Sequence, residues 1–243
     1  MQALCCENAY AICPQSLPGS KSLFRLTLHP MSQKPKRKKN PQKRLRASES
    51  GTVADKRDAL ISAAAQAFHN RNFYEISMDD IAEALGVTKP TLYSYVRSKH
   101  EILYECHKRA MQCAELAAHE ASTNGGTGLE QTKRFIERFV FQILDRGNGT
   151  SMMLYLDALP EKERAEISRK REYWRLYTET LIRRGQSDGT IRKIDPLMAT
   201  MFAMGAISWL TKWYNTDGPM TPAVLSAGFA ELFARGIRAD PAL

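Results

Sequence analysis

Ser77-Met78-Asp79-Asp80-Ile81-Ala82-Glu83-Ala84-Leu85-Gly86-Val87-Thr88-Lys89-Pro90-Thr91-Leu92-Tyr93-Ser94-Tyr95-Val96-Arg97-Ser98-Lys99 is the stretch that decides the fold. Ser77 with Asp80 three residues later is a capping box, in which each side chain satisfies a backbone N–H at the start of a helix. Ile81, Ala82 and Leu85 repeat on one face of that helix, and Gly86 breaks it. Thr88 caps a short helix that carries Pro90 in its first turn, where the missing N–H has no intrahelical partner to lose. Ser98-x-x-Glu101 opens another helix in the same way. Upstream, Leu60, Ile61, Ala64, Ala65 and Phe68 keep helical spacing in a first helix that ends near Arg71. Two short helices joined by a Gly-containing turn, with one helix before and one after, make a helix-turn-helix unit.

Outward from this unit the pattern stays helical, and no run of alternating β-branched residues suggests a sheet. Phe135, Ile136, Phe139, Val140, Ile143 and Leu144 share one face of a helix that follows Gly125-Gly126-Thr127-Gly128. A short element near residues 152–158 leads to Pro160, which opens a long helix expected to stop at Gly185. Asp195-Pro196 and Thr221-Pro222 are cap and first-turn pairs for two more helices. The first carries Met198, Phe202, Trp209 and Trp213, the second Leu225, Phe229, Leu232 and Phe233. The expected fold is all-α, a three-helix helix-turn-helix domain followed by a helical domain. The boundaries read as a mobile basic extension (1–52), the helix-turn-helix domain (53–103) and a C-terminal domain (104–243).

Composition narrows the function classes. The 243 residues are 43% hydrophobic and 25% charged, an ordinary globular balance. The run without charge at 196–211 is 16 residues, short of the roughly 20 that cross a bilayer. Net charge is +9, and residues 1–55 hold ten Lys/Arg against three Asp/Glu. The excess is concentrated at 34–46, with eight basic residues and no acid. Such an arm reads either as a phosphate-seeking segment or as a solvated tail. Met31, just before it, is a second candidate start. Residues 1–14 lack the basic and apolar regions of a secretory signal, and the five cysteines show no C-x-x-C or ladder of spacings. A reducing cytoplasm is the expectation, with no cofactor and no metal. Cys106, His107, Cys113 and His119 on one long helix read as core or surface residues, lacking a second ligand pair. No nucleophile elbow, P-loop or H-E-x-x-H is present, so no enzyme is expected.

Within the helix-turn-helix unit, residues 88–96 contain Lys89 and no acid, as a helix entering a DNA groove requires. Lys89 can donate to guanine O6 and N7, and Pro90 and the Thr91 methyl can touch a thymine methyl. Tyr93, Tyr95 and Lys99 carry donors suited to phosphates, with Ser94 beside them, and Ser77 sits where a helix N-terminus can meet a phosphate. Each also has a local reading: Ser77, Thr88 and Ser98 as caps, Leu92 and one tyrosine as core.

The run from Ile81 to Lys99, with the first-helix pattern before it, resembles the DNA-binding domain of the TetR/AcrR (tetracycline-repressor-like) transcriptional regulators. The layout after it has the length and order of that family's ligand-binding and dimerisation domain. Two positions differ: Asn72-Phe73 replaces a usual Gly-aromatic pair, and His100 replaces a common acid. The resemblance implies a homodimer that binds a palindromic double-stranded DNA operator through Ser77, Thr88, Lys89, Pro90, Thr91, Tyr93, Ser94, Tyr95 and Lys99. Further on, Gly205-Ala206-Ile207, Trp209, Trp213-Tyr214, Gly218-Pro219 and Thr221-Pro222 resemble a branch whose members respond to acyl-CoA esters or aromatic intermediates. An effector of that kind is therefore implied, with Phe135, Phe139, Tyr155, Trp174, Tyr177, Met201 and Phe202 as its candidate lining. The basic run Arg169, Lys170, Arg171 and Arg175 reads either as a phosphate site or as a solvated face paired with Glu166, Glu172 and Glu179. A ligand-responsive repressor is the leading reading, and an architectural nucleic-acid binder without effector is its rival.

Overall fold

The structure, a computed structural model, describes residues 52–67, 72–145, 154–215 and 218–240. The basic arm, Phe68, Met152 and Met153 lie outside them. The helices are α1 (Val53–Ala67), α2 (Met78–Leu85), α3 (Lys89–Tyr93), α4 (Lys99–Thr123), α5 (Gly128–Asp145), α6 (Glu161–Ser187), α7 (Pro196–Trp213) and α8 (Pro222–Ile237), with a 3₁₀ turn at Leu156–Ala158. Among the described residues there is no strand, only an isolated bridge between Ile191 and Arg238.

The caps are made by the residues that the sequence nominates. The Ser77 hydroxyl accepts from the Asp80 N–H at 3.1 Å, and the Asp80 carboxylate accepts from the Ser77 N–H at 2.8 Å. Gly86 ends α2 at φ 66°, a left-handed conformation that only glycine adopts without strain. Ser98 accepts from the Glu101 N–H, but Glu101 returns its bond to the Arg97 N–H at 2.7 Å, one residue outside the usual box. Asn72 works through its side chain: its Oδ1 accepts from the Tyr74 N–H at 3.2 Å. His100 packs edge-on against Phe73 at 5.5 Å.

Helix α6 passes through Gly185 and ends at Ser187, with Gly189 at φ 77° beyond it. Gly185 is there for close approach. A Cβ on Gly128 would lie 2.1 Å from the Gly185 nitrogen, and one on Gly185 would lie 2.3 Å from the Ile191 side chain. The start of α5 and the end of α6 therefore meet backbone to backbone, and the Ile191 side chain of the loop after α6 closes on Gly185.

Two cores result. The first gathers Leu60, Ile61, Phe73, Ile81, Leu85, Leu92, Val96, Ile102, Leu103 and Cys106, and takes in Leu159 and Ile167 from the second half of the chain. The second gathers α4 from Ala110 onward with the inner faces of α5 to α8. The long helix α4 belongs to both.

Candidate functional site

Leu92 and Val96 are buried in the first core, which fixes the rotation of α3 about its axis. Lys89, Pro90, Thr91, Tyr93 and Ser94 are then exposed together, and Tyr95 is half-buried against the core. Thr88 accepts from the Thr91 N–H at 3.3 Å, and the two hydroxyls lie 2.8 Å apart. Ser94 donates to the Thr91 carbonyl at 2.7 Å. Arg57 on α1 donates to the Tyr95 carbonyl at 3.1 Å and pairs with Glu101 at 2.7 Å and Glu105 at 3.2 Å, tying the end of α3 to α1 and α4. Ser77, at the start of the neighbouring helix, is exposed but committed to Asp80.

Two cations behave differently. Lys89 reaches both carboxylate oxygens of Asp79, at 2.8 and 3.0 Å, and that hydrogen bond holds its proton more tightly than usual. Both groups are well exposed, so the pair is worth little in water and opens readily for a stronger partner. Lys99 points inward, donating to the carbonyls of Phe73, Ile76 and Tyr74 at 3.1, 3.0 and 3.4 Å, with its ammonium 4.9 Å from the Phe73 ring centre. An ammonium has three donors, and here each has a carbonyl.

The candidate effector lining divides. Phe135 stacks on Phe139 at 5.9 Å and on Trp174 at 6.3 Å, and Tyr177 meets Phe135 edge-on at 5.2 Å. These four rings form one aromatic wall between α5 and α6. Tyr155 is elsewhere: it lies 5.9 Å from Phe73 and 6.1 Å from Tyr74, and its hydroxyl accepts from Lys212 at 3.2 Å. It joins the end of α7 to the helix-turn-helix unit. Met201 and Phe202 sit on the outer face of α7, exposed. The basic run divides likewise, Lys170 bonding Glu166 at 2.8 Å while Arg175 holds Glu172 and Glu179. Arg171 is half-buried, and loss of water weakens its hold on its proton.

Sequence reasoning missed Asp79 and Arg57, whose partners lie 10 and 38 or more residues away. It also passed over His107 as ordinary core. No helix among the described residues is long and apolar enough to cross a membrane. No group of three or more His, Cys, Asp or Glu among them could hold a metal ion.

A five-residue helix with a cation and two hydroxyl-bearing neighbours, turned outward by a buried leucine, has the form of the second helix of a helix-turn-helix unit. Residues 60–106 match the model of the bacterial regulatory proteins of the tetR family, and residues 125–237 match that of the tetracyclin repressor-like C-terminal domain. The chain belongs to the TetR family of transcriptional regulators. It is 25% identical over 188 residues to the HTH-type transcriptional regulator YdgC of Bacillus subtilis, covering 75% of this chain and 93% of that one. The crystal structure of the TetR-family regulator PfmR from Thermus thermophilus superposes with a TM-score of 0.63 at 26% identity, over 72% of this chain and 97% of PfmR. AibR in complex with isovaleryl coenzyme A and operator DNA shares the fold at a TM-score of 0.60 and 22% identity, over 72% and 96%.

Proposed function

We propose that this regulator is a repressor that binds a palindromic operator as a homodimer and leaves it when a small, largely apolar effector occupies its C-terminal half. One observation carries the DNA reading: α3 presents Lys89, Pro90, Thr91 and Tyr93 to solvent and has no acid of its own. In this reading Lys89 and Thr91 read bases, Tyr93, Ser94 and Tyr95 meet the backbone, and Ser77 and Thr88 cap the two helices they bring to the groove. Lys99 positions the loop after α1 and leaves the phosphates to other donors. One short helix covers too few bases to specify a site, so two copies are needed. Met198, Phe202, Trp209 and Leu232 support that, being 64 to 75% exposed on α7 and α8. A groove of about 410 Å³ runs between Met198, Phe202 and Leu232, suited to apolar side chains of a second copy.

The effector reading rests on the wall of Phe135, Phe139, Trp174 and Tyr177. AibR holds an acyl-CoA on this fold, but the phosphates of a CoA need available cations. Lys170 and Arg175 use theirs on glutamates of the same helix. The geometry thus favours an apolar body over a nucleotide-bearing one.

Selection of a bound sequence from a random pool, followed by titration of apolar acids, esters and CoA thioesters against the complex, tests the whole reading. A palindrome released by a small molecule is the expected result. Equal binding to unrelated duplexes, with no release, would favour the architectural rival. A variant starting at Met31 should match the full chain, and one starting at Ser48 should lose affinity chiefly at low salt.

A further inference from the structure

Asp79 and Asp80 stand side by side in the first turn of α2 and do different things. Asp80, three residues after the cap, closes the capping box by accepting from the Ser77 N–H at 2.8 Å. Asp79 is one residue too early for that bond, so its carboxylate is left for another partner. It takes Lys89, the first residue of α3 and ten positions away, with both oxygens: Oδ1 lies 2.8 Å and Oδ2 3.0 Å from Nζ. Lys89 is the one cation of α3, which has no acid of its own. The hydroxyls beside it are held locally, Thr88 and Thr91 lying 2.8 Å apart and Ser94 donating to the Thr91 carbonyl at 2.7 Å. Of these groups Lys89 alone is held from another helix.

Both side chains are exposed, 52% for Lys89 and 67% for Asp79, so the pair adds little to stability. An acid at this place opposes DNA binding on its own account, because it repels phosphates. Its effect on Lys89 follows from donor count and charge. An ammonium has three N–H donors, and two directed at Asp79 leave one. To pair with a phosphate, Lys89 must leave Asp79 and strand a carboxylate beside the phosphates, a like-charge contact that is costly at an interface. In water the pair opens easily; beside a duplex the freed carboxylate makes opening expensive. A base edge is neutral, and the remaining N–H can reach guanine O6 or N7 with the pair intact.

We infer that Asp79 is a specificity-determining residue of the DNA interface: it positions Lys89 for a base edge and bars it from the phosphates. This rests on the DNA reading above, in which α3 enters the groove. Asp79 acts through Lys89, and its carboxylate travels with the ammonium because the two are in contact. The cation of α3 then contributes to discrimination between sequences and little to affinity for duplexes at large.

The test uses the full chain, the duplex that the wild type selects from a random pool, and an unrelated duplex of equal length. Binding to both is measured across a salt series for wild type, Asp79→Asn, Asp79→Glu, Lys89→Ala and the Asp79→Asn/Lys89→Ala double variant, with melting curves to show that each is folded. Asp79→Asn removes the charge and keeps the size. It should raise affinity for the unrelated duplex and steepen the salt slope by about 0.9 for each Lys89 that gains a phosphate, about 1.8 for a dimer. Preference for the selected duplex should fall about fivefold or more, the low end of what one base contact contributes. Selection repeated with Asp79→Asn should relax the same base position that Lys89→Ala relaxes. Asp79→Glu, still an anion within reach, should keep most of the wild-type preference. With Lys89 already replaced by Ala, Asp79→Asn should move neither slope nor preference. A role confined to the charge at the start of α2 would lower the melting temperature and leave both unmoved. An unchanged slope or preference in Asp79→Asn, or the same change without Lys89, overturns the inference and leaves the DNA reading standing. Failure of the wild type to prefer any duplex overturns the DNA reading, and the inference with it.

Discussion

Lys99 and Lys89 sit on neighbouring helices and do opposite work. Lys99 closes three carbonyls of the α1–α2 connection. Lys99→Ala should therefore destabilise the fold by about 1 to 3 kcal/mol, the range for hydrogen bonds to a charged group, and weaken all duplexes without changing the salt slope of binding. A reduced slope would return Lys99 to the phosphates. Lys89→Ala should leave the melting temperature alone and change the preferred base at one position by about 1 to 3 kcal/mol, read by competition among operator variants. His107 gives a pH signature. Its folded-state value of about 3 lies below the ordinary 6.5, so between these limits the unfolded chain binds the proton that the native one refuses. Stability should fall as pH drops below 6.5, by up to about 1.4 kcal/mol per pH unit. The window above about pH 4.5, before glutamates titrate, isolates the effect, and His107→Leu should flatten it in urea unfolding measured at each pH.

Helix boundaries were legible wherever a cap is local. Ser77, Thr88, Ser98, Asp195 and Thr221 each accept from an N–H two or three residues ahead, as their spacing predicts. Helix α6 departed from the pattern because Gly185 has a role that sequence spacing does not carry. Its hydrogen lets Ile191 close on it, and the hydrogen of Gly128 lets the start of α5 approach the Gly185 backbone. Gly128→Ala, against the Gly185 backbone, and Gly185→Ala, against the Ile191 side chain, should each cost about 1 to 3 kcal/mol or more by overpacking, visible as a lowered melting temperature with α-helical content unchanged. The basic run on α6 was ambiguous for a similar reason: i,i+3 and i,i+4 spacing pairs Lys170 and Arg175 with glutamates, but only packing turned Arg171 inward.

At the scale of the molecule, α7 and α8 bury one face in the second core and leave another bare. Phe233 is buried there and Phe229 is half-buried against it, so a charge at Phe229 would test folding more than association. Leu232 and Phe202, exposed on either side of the groove, are the better probes. Leu232→Asp or Phe202→Asp should leave helical content and melting intact, yield monomers in sedimentation and weaken binding to a palindrome far more than to a half-site. An unaltered dimer would move the interface elsewhere. Tyr155, placed between Lys212 and Phe73, links the same helix to the DNA-reading half. Tyr155→Phe, which keeps the ring and removes the hydroxyl, should change operator affinity more than it changes stability.

The sequence by itself determined the all-α class, the helix-turn-helix and its caps, the inner face of α5, and the family, because each depends on residues within a few positions of one another. Tertiary structure decided which of several similar residues meet. Lys89 faces Asp79 and Lys99 faces the carbonyls, Phe135 gathers Trp174 and Tyr177 while Tyr155 joins the other core, and His107 is left without a hydrogen-bond partner in the field of Arg171. The physical reason is that helical periodicity assigns a residue to a face, whereas its neighbour is set by the rotation and crossing of a second helix far away in the chain. No local pattern carries that rotation.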